Sequence, residues 1–257
     1  MEPMEITIPA RYCGPSSSGN GGWSAGSLAE ALRASTPADL GPVTVRLSAP
    51  PPLDTPLDVA IDVRTDDGAG LDTPIATMSR GDTTVATAAS APPWTAAPPP
   101  FVTLEVAVAT AARYVAPDQH PFPHCFVCGT ARARGDGMRL TPGPLPAGGT
   151  ACLWRPADTL AGDPLTEPSI WAALDCPSGW TSDLLGRPLV LGTITAEVLR
   201  WPEPEQTAVV TGRLEATEGR RSWTSSALWS AEGELLARAE QIWFAVDAAT
   251  FNAILAG

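Results

Sequence analysis

The chain has 257 residues, with 16 lysines and arginines against 28 aspartates and glutamates, for a formal net charge of −12. Phosphate backbones need clustered cations, so this balance argues against a nucleic-acid surface, and no run of about 18 apolar residues offers a membrane span. The length exceeds the mode of about 100 to 150 residues for a single domain, which leaves one large domain or two small ones.

The 23 glycines and 28 prolines are interleaved with Val, Leu, Ala and Trp, as in a turn-rich globular protein. The opening stretch Met1 to Pro9 has neither a basic n-region nor an apolar h-region, giving the expectation of a soluble cytoplasmic protein. Five cysteines, an odd number, suit reduced thiols better than a disulfide framework.

A Gly-rich segment leads into an amphipathic stretch, Gly22 to Ala34, which predicts a helix. Strands are predicted from Val43 to Ser48, Leu57 to Val63, Pro74 to Ser79 and Thr83 to Ala89. Val43, Val45 and Leu47 share one face, as do Val59, Ile61 and Val63. Ala91 to Pro100 reads as a stiff, extended linker. A second helix is predicted from Pro168 to Leu185. Strands then follow from Leu191 to Leu199, Thr207 to Ala216, Arg221 to Ser230 and Glu234 to Val246.

One helix followed by four strands thus occurs twice. Gly81-Asp82 and Glu232-Gly233 sit at corresponding hairpin turns, and Pro-rich connections follow the first strand of each set. Such a unit leaves a sheet edge uncovered, so a duplicated unit is expected to pair its two sheets side by side, as two subunits of a homodimer would. The division expected is 1–112 and 113–257.

Between the two sets lies Cys125-Phe-Val-Cys-Gly with His120 and His124 nearby. Thiolates and neutral imidazoles suit zinc, but a single Cys-x-x-Cys without a second pair is weak, and adjacent His124 and Cys125 need an awkward backbone to reach one ion. A structural loop is the preferred reading, with metal binding left open. Cys152 and Cys176 read as core thiols, since the two histidines of the chain stand far from both in sequence.

Three segments resemble the hotdog-fold acyl-CoA thioesterase superfamily, in its phenylacetate-pathway-like and double-hotdog branches. They are Cys125-Phe-Val-Cys-Gly with the following Gly-Met-Arg-Leu, the Gly-Gly lead-in of Ser18-Gly-Asn-Gly-Gly-Trp-Ser-Ala-Gly, and Pro168-Ser-Ile-Trp-Ala-Ala-Leu-Asp. The resemblance implies an α+β tandem hotdog, two long helices each wrapped by an antiparallel sheet in a pseudo-dimer. It implies hydrolysis of an acyl-CoA or related thioester, with coenzyme A as part of the substrate and no metal or redox cofactor required.

Within that resemblance, the Gly22 amide at a helix N-terminus is the oxyanion-hole candidate, with Asn20 as cap or polarising group. Asp175 is the general base or nucleophile. Gly21, Trp23, Trp171, Thr166 and Glu167 fall around the substrate. The second unit departs from the pattern, since Thr166-Glu-Pro replaces His-Gly-Gly and Pro168 has no N–H to offer. In the first unit the residue matching Asp175 is Ala29, with Glu30 next to it.

These departures imply one composite site pairing Gly22 with Asp175 and one degenerate site combining Glu30 with Thr166-Glu167-Pro168. A catalytically inactive, ligand-binding double hotdog is the alternative, and a hydratase or dehydratase is a third reading that the scarcity of histidine disfavours. The expected assembly is a monomeric pseudo-dimer or a homodimer.

Overall fold

The structure is a computed structural model and describes residues 4–36, 40–66, 71–159 and 163–247. The elements run β1 (Met4–Thr7), α1 (Gly21–Ala34), β2 (Val43–Leu47), β3 (Pro56–Asp66), β4 (Leu71–Arg80) and β5 (Thr83–Ser90). They continue as α2 (Leu104–Ala111), β6 (Gly143–Pro144), β7 (Thr150–Trp154), α3 (Glu167–Gly179), β8 (Leu189–Val198), β9 (Ala208–Glu218), β10 (Arg221–Trp229) and β11 (Leu235–Ala245). The α+β expectation holds, and both α1 and α3 are followed by four strands. No described helix is long and apolar enough to cross a membrane.

Among the described residues the strands form one antiparallel sheet, in the order β1-β3-β4-β5-β2-β8-β11-β10-β9-β7-β6. The order reads the same outward from its middle: β2, β5, β4, β3 on one side match β8, β11, β10, β9 on the other. The β2–β8 pair joins the halves, with Val43 opposite Ala196 and Val45 opposite Ile194, all four buried. On the other face of that pair the Thr44 and Thr195 hydroxyls meet at 2.8 Å.

Helix α1 starts where Asn20 caps it, its Oδ1 accepting from the Trp23 N–H at 2.9 Å. Its buried positions include Gly22, Ala25, Gly26, Ala29 and Leu32, which recur at three- and four-residue intervals, and the helix packs on α3 and the sheet. Two of them are glycines for a spatial reason. A Cβ on Gly22 would lie 2.6 Å from Asp175 Cβ and 2.7 Å from the Trp171 carbonyl oxygen; one on Gly26 would lie 2.7 Å from Pro168 Cα. The helices therefore cross in direct backbone contact, which sets the carboxylate of one against the N-terminus of the other.

Helix α3 begins at Glu167 and ends at Gly179, six residues short of the predicted end at Leu185. Pro177 has no N–H for the carbonyl four residues back, and the Trp180 N–H closes the last turn onto the Cys176 and Ser178 carbonyls. The Leu174 carbonyl is also tied to β10 and β11, accepting from Ser226 Oγ at 2.7 Å and Gln241 Nε2 at 3.1 Å. The whole helix is buried.

Helix α2 and β7 are additions to the sequence reading. Ala107 of α2 packs with Ala151 and Val209, so this helix lies on strands of the second half. Its Thr110 Oγ1 also donates to the Ala151 carbonyl at 2.7 Å.

Candidate active site

The crossing of α1 and α3 creates a buried polar centre. Asp175, 2% exposed, accepts two hydrogen bonds on Oδ2, from the Gly22 N–H at 2.9 Å and from Asn20 Nδ2 at 2.8 Å. Its Oδ1 has no hydrogen-bond partner among the described residues. Burial pushes the Asp175 carboxyl up to about 7; the Gly22 N–H and Asn20 amide oppose that rise, and the Cys125 thiol adds to it.

Asn20 serves both helices at once. Its carbonyl oxygen caps α1 while its amide nitrogen binds the carboxylate of α3, so the two contacts fix the orientation of the side chain. Its backbone N–H is held by the Tyr12 carbonyl at 2.8 Å, and Gly19 is held by the Pro51 carbonyl at 2.8 Å, which anchors the loop preceding the helix.

A cavity of about 770 Å³ opens beside this centre. Asn20, Gly21, Asp175 and three cysteines, Cys125, Cys128 and Cys176, line its polar end. Leu47, Leu191, Trp180 and Trp243 supply apolar wall. Glu218, Arg220 and Arg221 line it where it meets solvent, since all three are exposed. Arg221 lies over the Phe244 ring, 5.8 Å from its centroid.

Gly22 and Asp175 are thus brought together, but differently from the sequence expectation. The Gly22 N–H is already engaged by the carboxylate, and it is Gly21 that lines the cavity. As the first residue of α1, Gly21 has an N–H that no helical carbonyl reaches.

The other expected residues lie elsewhere. Trp23 stacks on Tyr12 with ring centroids 3.5 Å apart. Trp171 is fully buried and donates its indole N–H to Glu167 Oε1 at 3.1 Å. The same oxygen accepts from Arg33 Nε at 3.0 Å, and the Thr166 hydroxyl meets Ser169 Oγ at 3.0 Å.

Glu30 is exposed and neighbours Glu167; its carboxyl is raised by partial burial and by that second carboxylate, with the Glu167 N–H opposing. Glu30, Thr166 and Glu167 therefore form a second cluster at the other end of the helix pair. Arg33 occupies it, and none of these residues lines the cavity.

Four residues that line the cavity stood outside the site expected from the sequence. Cys176 was read as a core thiol, and Arg220 and Arg221 stand on a hairpin with no local motif to mark them. His120, weighed only as a metal ligand, lines the cavity with both ring nitrogens engaged. Nδ1 accepts from the Phe122 N–H at 2.9 Å, which leaves Nε2 to donate to Tyr114 Oη at 2.9 Å. Burial holds this imidazole below its ordinary value.

No protein-family model matches the sequence, and no curated protein matches it. Solved structures do. A hot dog fold protein of unknown function from Alicyclobacillus acidocaldarius is 19% identical, with TM-score 0.59 and coverage of 95% of this chain and 92% of that one. An acyl-CoA thioesterase II, TesB2, from Mycobacterium marinum is 16% identical, with TM-score 0.59 and coverage of 94% and 92%. The dehydratase domain of PpsC from Mycobacterium tuberculosis, in complex with C12:1-CoA, is 18% identical, with TM-score 0.58 and coverage of 95% and 93%. The chain has the hotdog fold.

Proposed function

We propose that this chain is two hotdog units in tandem, a pseudo-dimer within one polypeptide, and that it hydrolyses an acyl thioester such as an acyl-CoA at a single site. The observation that carries this reading is the meeting of Asp175 with the N-terminus of α1 at the polar end of a cavity of about 770 Å³. That volume falls in the range of about 300 to 1,000 Å³ usual for small-molecule sites.

In this reading the thioester carbonyl lies at the start of α1, where the Gly21 N–H and the helix dipole favour negative charge on oxygen. The carboxylate is held by Oδ2, so Oδ1 takes the proton from a water whose oxygen attacks the carbonyl carbon. Collapse of the tetrahedral intermediate breaks the C–S bond, and Asp175 returns the proton to the leaving thiolate. The apolar wall accommodates the acyl group. Arg220 and Arg221 suit the phosphates of coenzyme A, on a protein whose net charge of −12 otherwise repels them.

Two other readings have an observation each. The Arg33-filled second cluster and the missing glycines there fit a chain that binds thioesters without cleaving them. His120, lining the same cavity as Asp175, fits a hydratase or dehydratase.

One panel separates the three: short, medium and aryl acyl-CoA compounds incubated with the purified chain and followed by free-thiol release. Release that falls by at least ~100-fold in Asp175→Asn supports hydrolysis. Tight binding of the panel without release supports the binding module, and a change in enoyl absorbance without thiol supports hydration chemistry.

A further inference from the structure

The polar end of the cavity holds a feature that thioester hydrolysis by a carboxylate does not need. The Sγ atoms of Cys125, Cys128 and Cys176 all lie within 4.8 Å of one another, with Cys125 and Cys176 at 3.7 Å. All five cysteines are free thiols, and these three are buried yet line the cavity. Zinc–thiolate bonds of about 2.3 Å place tetrahedral sulfur ligands about 3.8 Å apart, so small side-chain rotations seat an ion among them.

A tight turn of the backbone holds two of the three sulfurs together. Cys125-Phe-Val-Cys-Gly folds into a tight knuckle, closed by the Gly129 N–H on the Cys125 carbonyl at 2.9 Å. A side chain at Gly129 would lie 2.5 Å from the Pro123 carbonyl oxygen. The knuckle directs the Val127 and Cys128 backbone N–H groups at the Cys125 sulfur.

Asn20 Nδ2 stands 4.0 Å from the same sulfur. The Trp180 indole N–H, buried and without a hydrogen-bond partner among the described residues, faces Cys128. Donors of this kind stabilise ligand charge in metal sites.

The histidines weighed in the sequence are not part of the cluster. His124 is exposed, and both nitrogens of His120 are engaged. The third ligand comes instead from α3.

We propose that Cys125, Cys128 and Cys176 bind one thiophilic divalent cation of the zinc class, with its fourth coordination position open to the cavity for water or a small thiol. Binding forms three sulfur–metal bonds and releases the three thiol protons to solvent, with no change of oxidation state. The assignment stands apart from the thioester reading and is tested without an activity assay.

The full chain, stripped of metal under reducing conditions, is titrated with Co²⁺. A thiolate-to-cobalt charge-transfer band that saturates at one equivalent and is abolished by one equivalent of Zn²⁺ is expected. Cys176→Ser lowers the affinity at least ~100-fold, as losing a ligand costs no less than losing a ligand's hydrogen-bond partner. Cys152→Ser, at a core thiol outside the cluster, keeps the band. Should Cys176→Ser fail to fold by circular dichroism, Cys128→Ser repeats the test from the knuckle. A folded, reduced wild-type chain with no stoichiometric band overturns the assignment, as does a Cys125 that purifies in a disulfide with Cys128 or Cys176.

Discussion

Asn20 is where sequence, stability and chemistry meet in one side chain. It caps α1 through Oδ1 and binds Asp175 through Nδ2, so replacing it removes two interactions at once. Asn20→Ala is expected to cost about 1–2 kcal/mol, a loss of about 2–8 °C in Tm measured by thermal unfolding. Aspartate caps helices as well as asparagine does, yet here it would turn a carboxylate oxygen toward Asp175 in place of the amide donor. Asn20→Asp is therefore expected to melt below Asn20→Ala. The opposite ranking would show that the cap alone matters and that the Asn20–Asp175 contact carries no weight.

At the level of elements, Gly22 and Gly26 let α1 lie on α3 and so build the site. Alanine at either position puts a Cβ within 2.6–2.7 Å of atoms on α3 that are backbone or rigidly held. Each substitution is expected to destabilise the chain by about 1–3 kcal/mol in urea unfolding, where glycine-to-alanine in an ordinary helix stabilises. A stabilised Gly26→Ala would contradict the close crossing.

The sequence reading found α1 and the strands that follow it because Val43 and Val45 alternate against one core, and it found β8 through Ile194 and Ala196. It missed α2, since Val106-Ala-Val-Ala-Thr alternates like a strand and its burying partners, Ala151 and Val209, lie far along the chain. It overran α3, because the effect of Pro177 on the helix end depends on Trp180 closing the last turn. Asp175 was legible as a carboxylate among apolar neighbours. That its oxygen takes the Gly22 N–H, leaving Gly21 at the cavity, and that Cys176 meets Cys125, 51 residues upstream, follow only from how the helices cross.

At the scale of the molecule, the β2–β8 seam and the α1–α3 crossing tie the two halves into one sheet over a main core that both share. Seven of the nine tryptophans lie beyond residue 150, so fluorescence reports on the second half while far-ultraviolet circular dichroism reports on both. The two urea transitions are expected to coincide, and separate midpoints would show that the halves unfold independently.

The same symmetry makes the two carboxylate clusters comparable. Asp175 lines the cavity with its buried Oδ1 unpartnered among the described residues, whereas Glu30 sits exposed beside a Glu167 that Arg33 already engages. The most direct test is therefore the rate of thiol release from the best acyl-CoA of the panel, measured side by side for Asp175→Asn and Glu30→Gln. One site per chain predicts a loss of at least ~100-fold for Asp175→Asn and less than about twofold for Glu30→Gln. Equal losses, or a greater loss at Glu30, would contradict it.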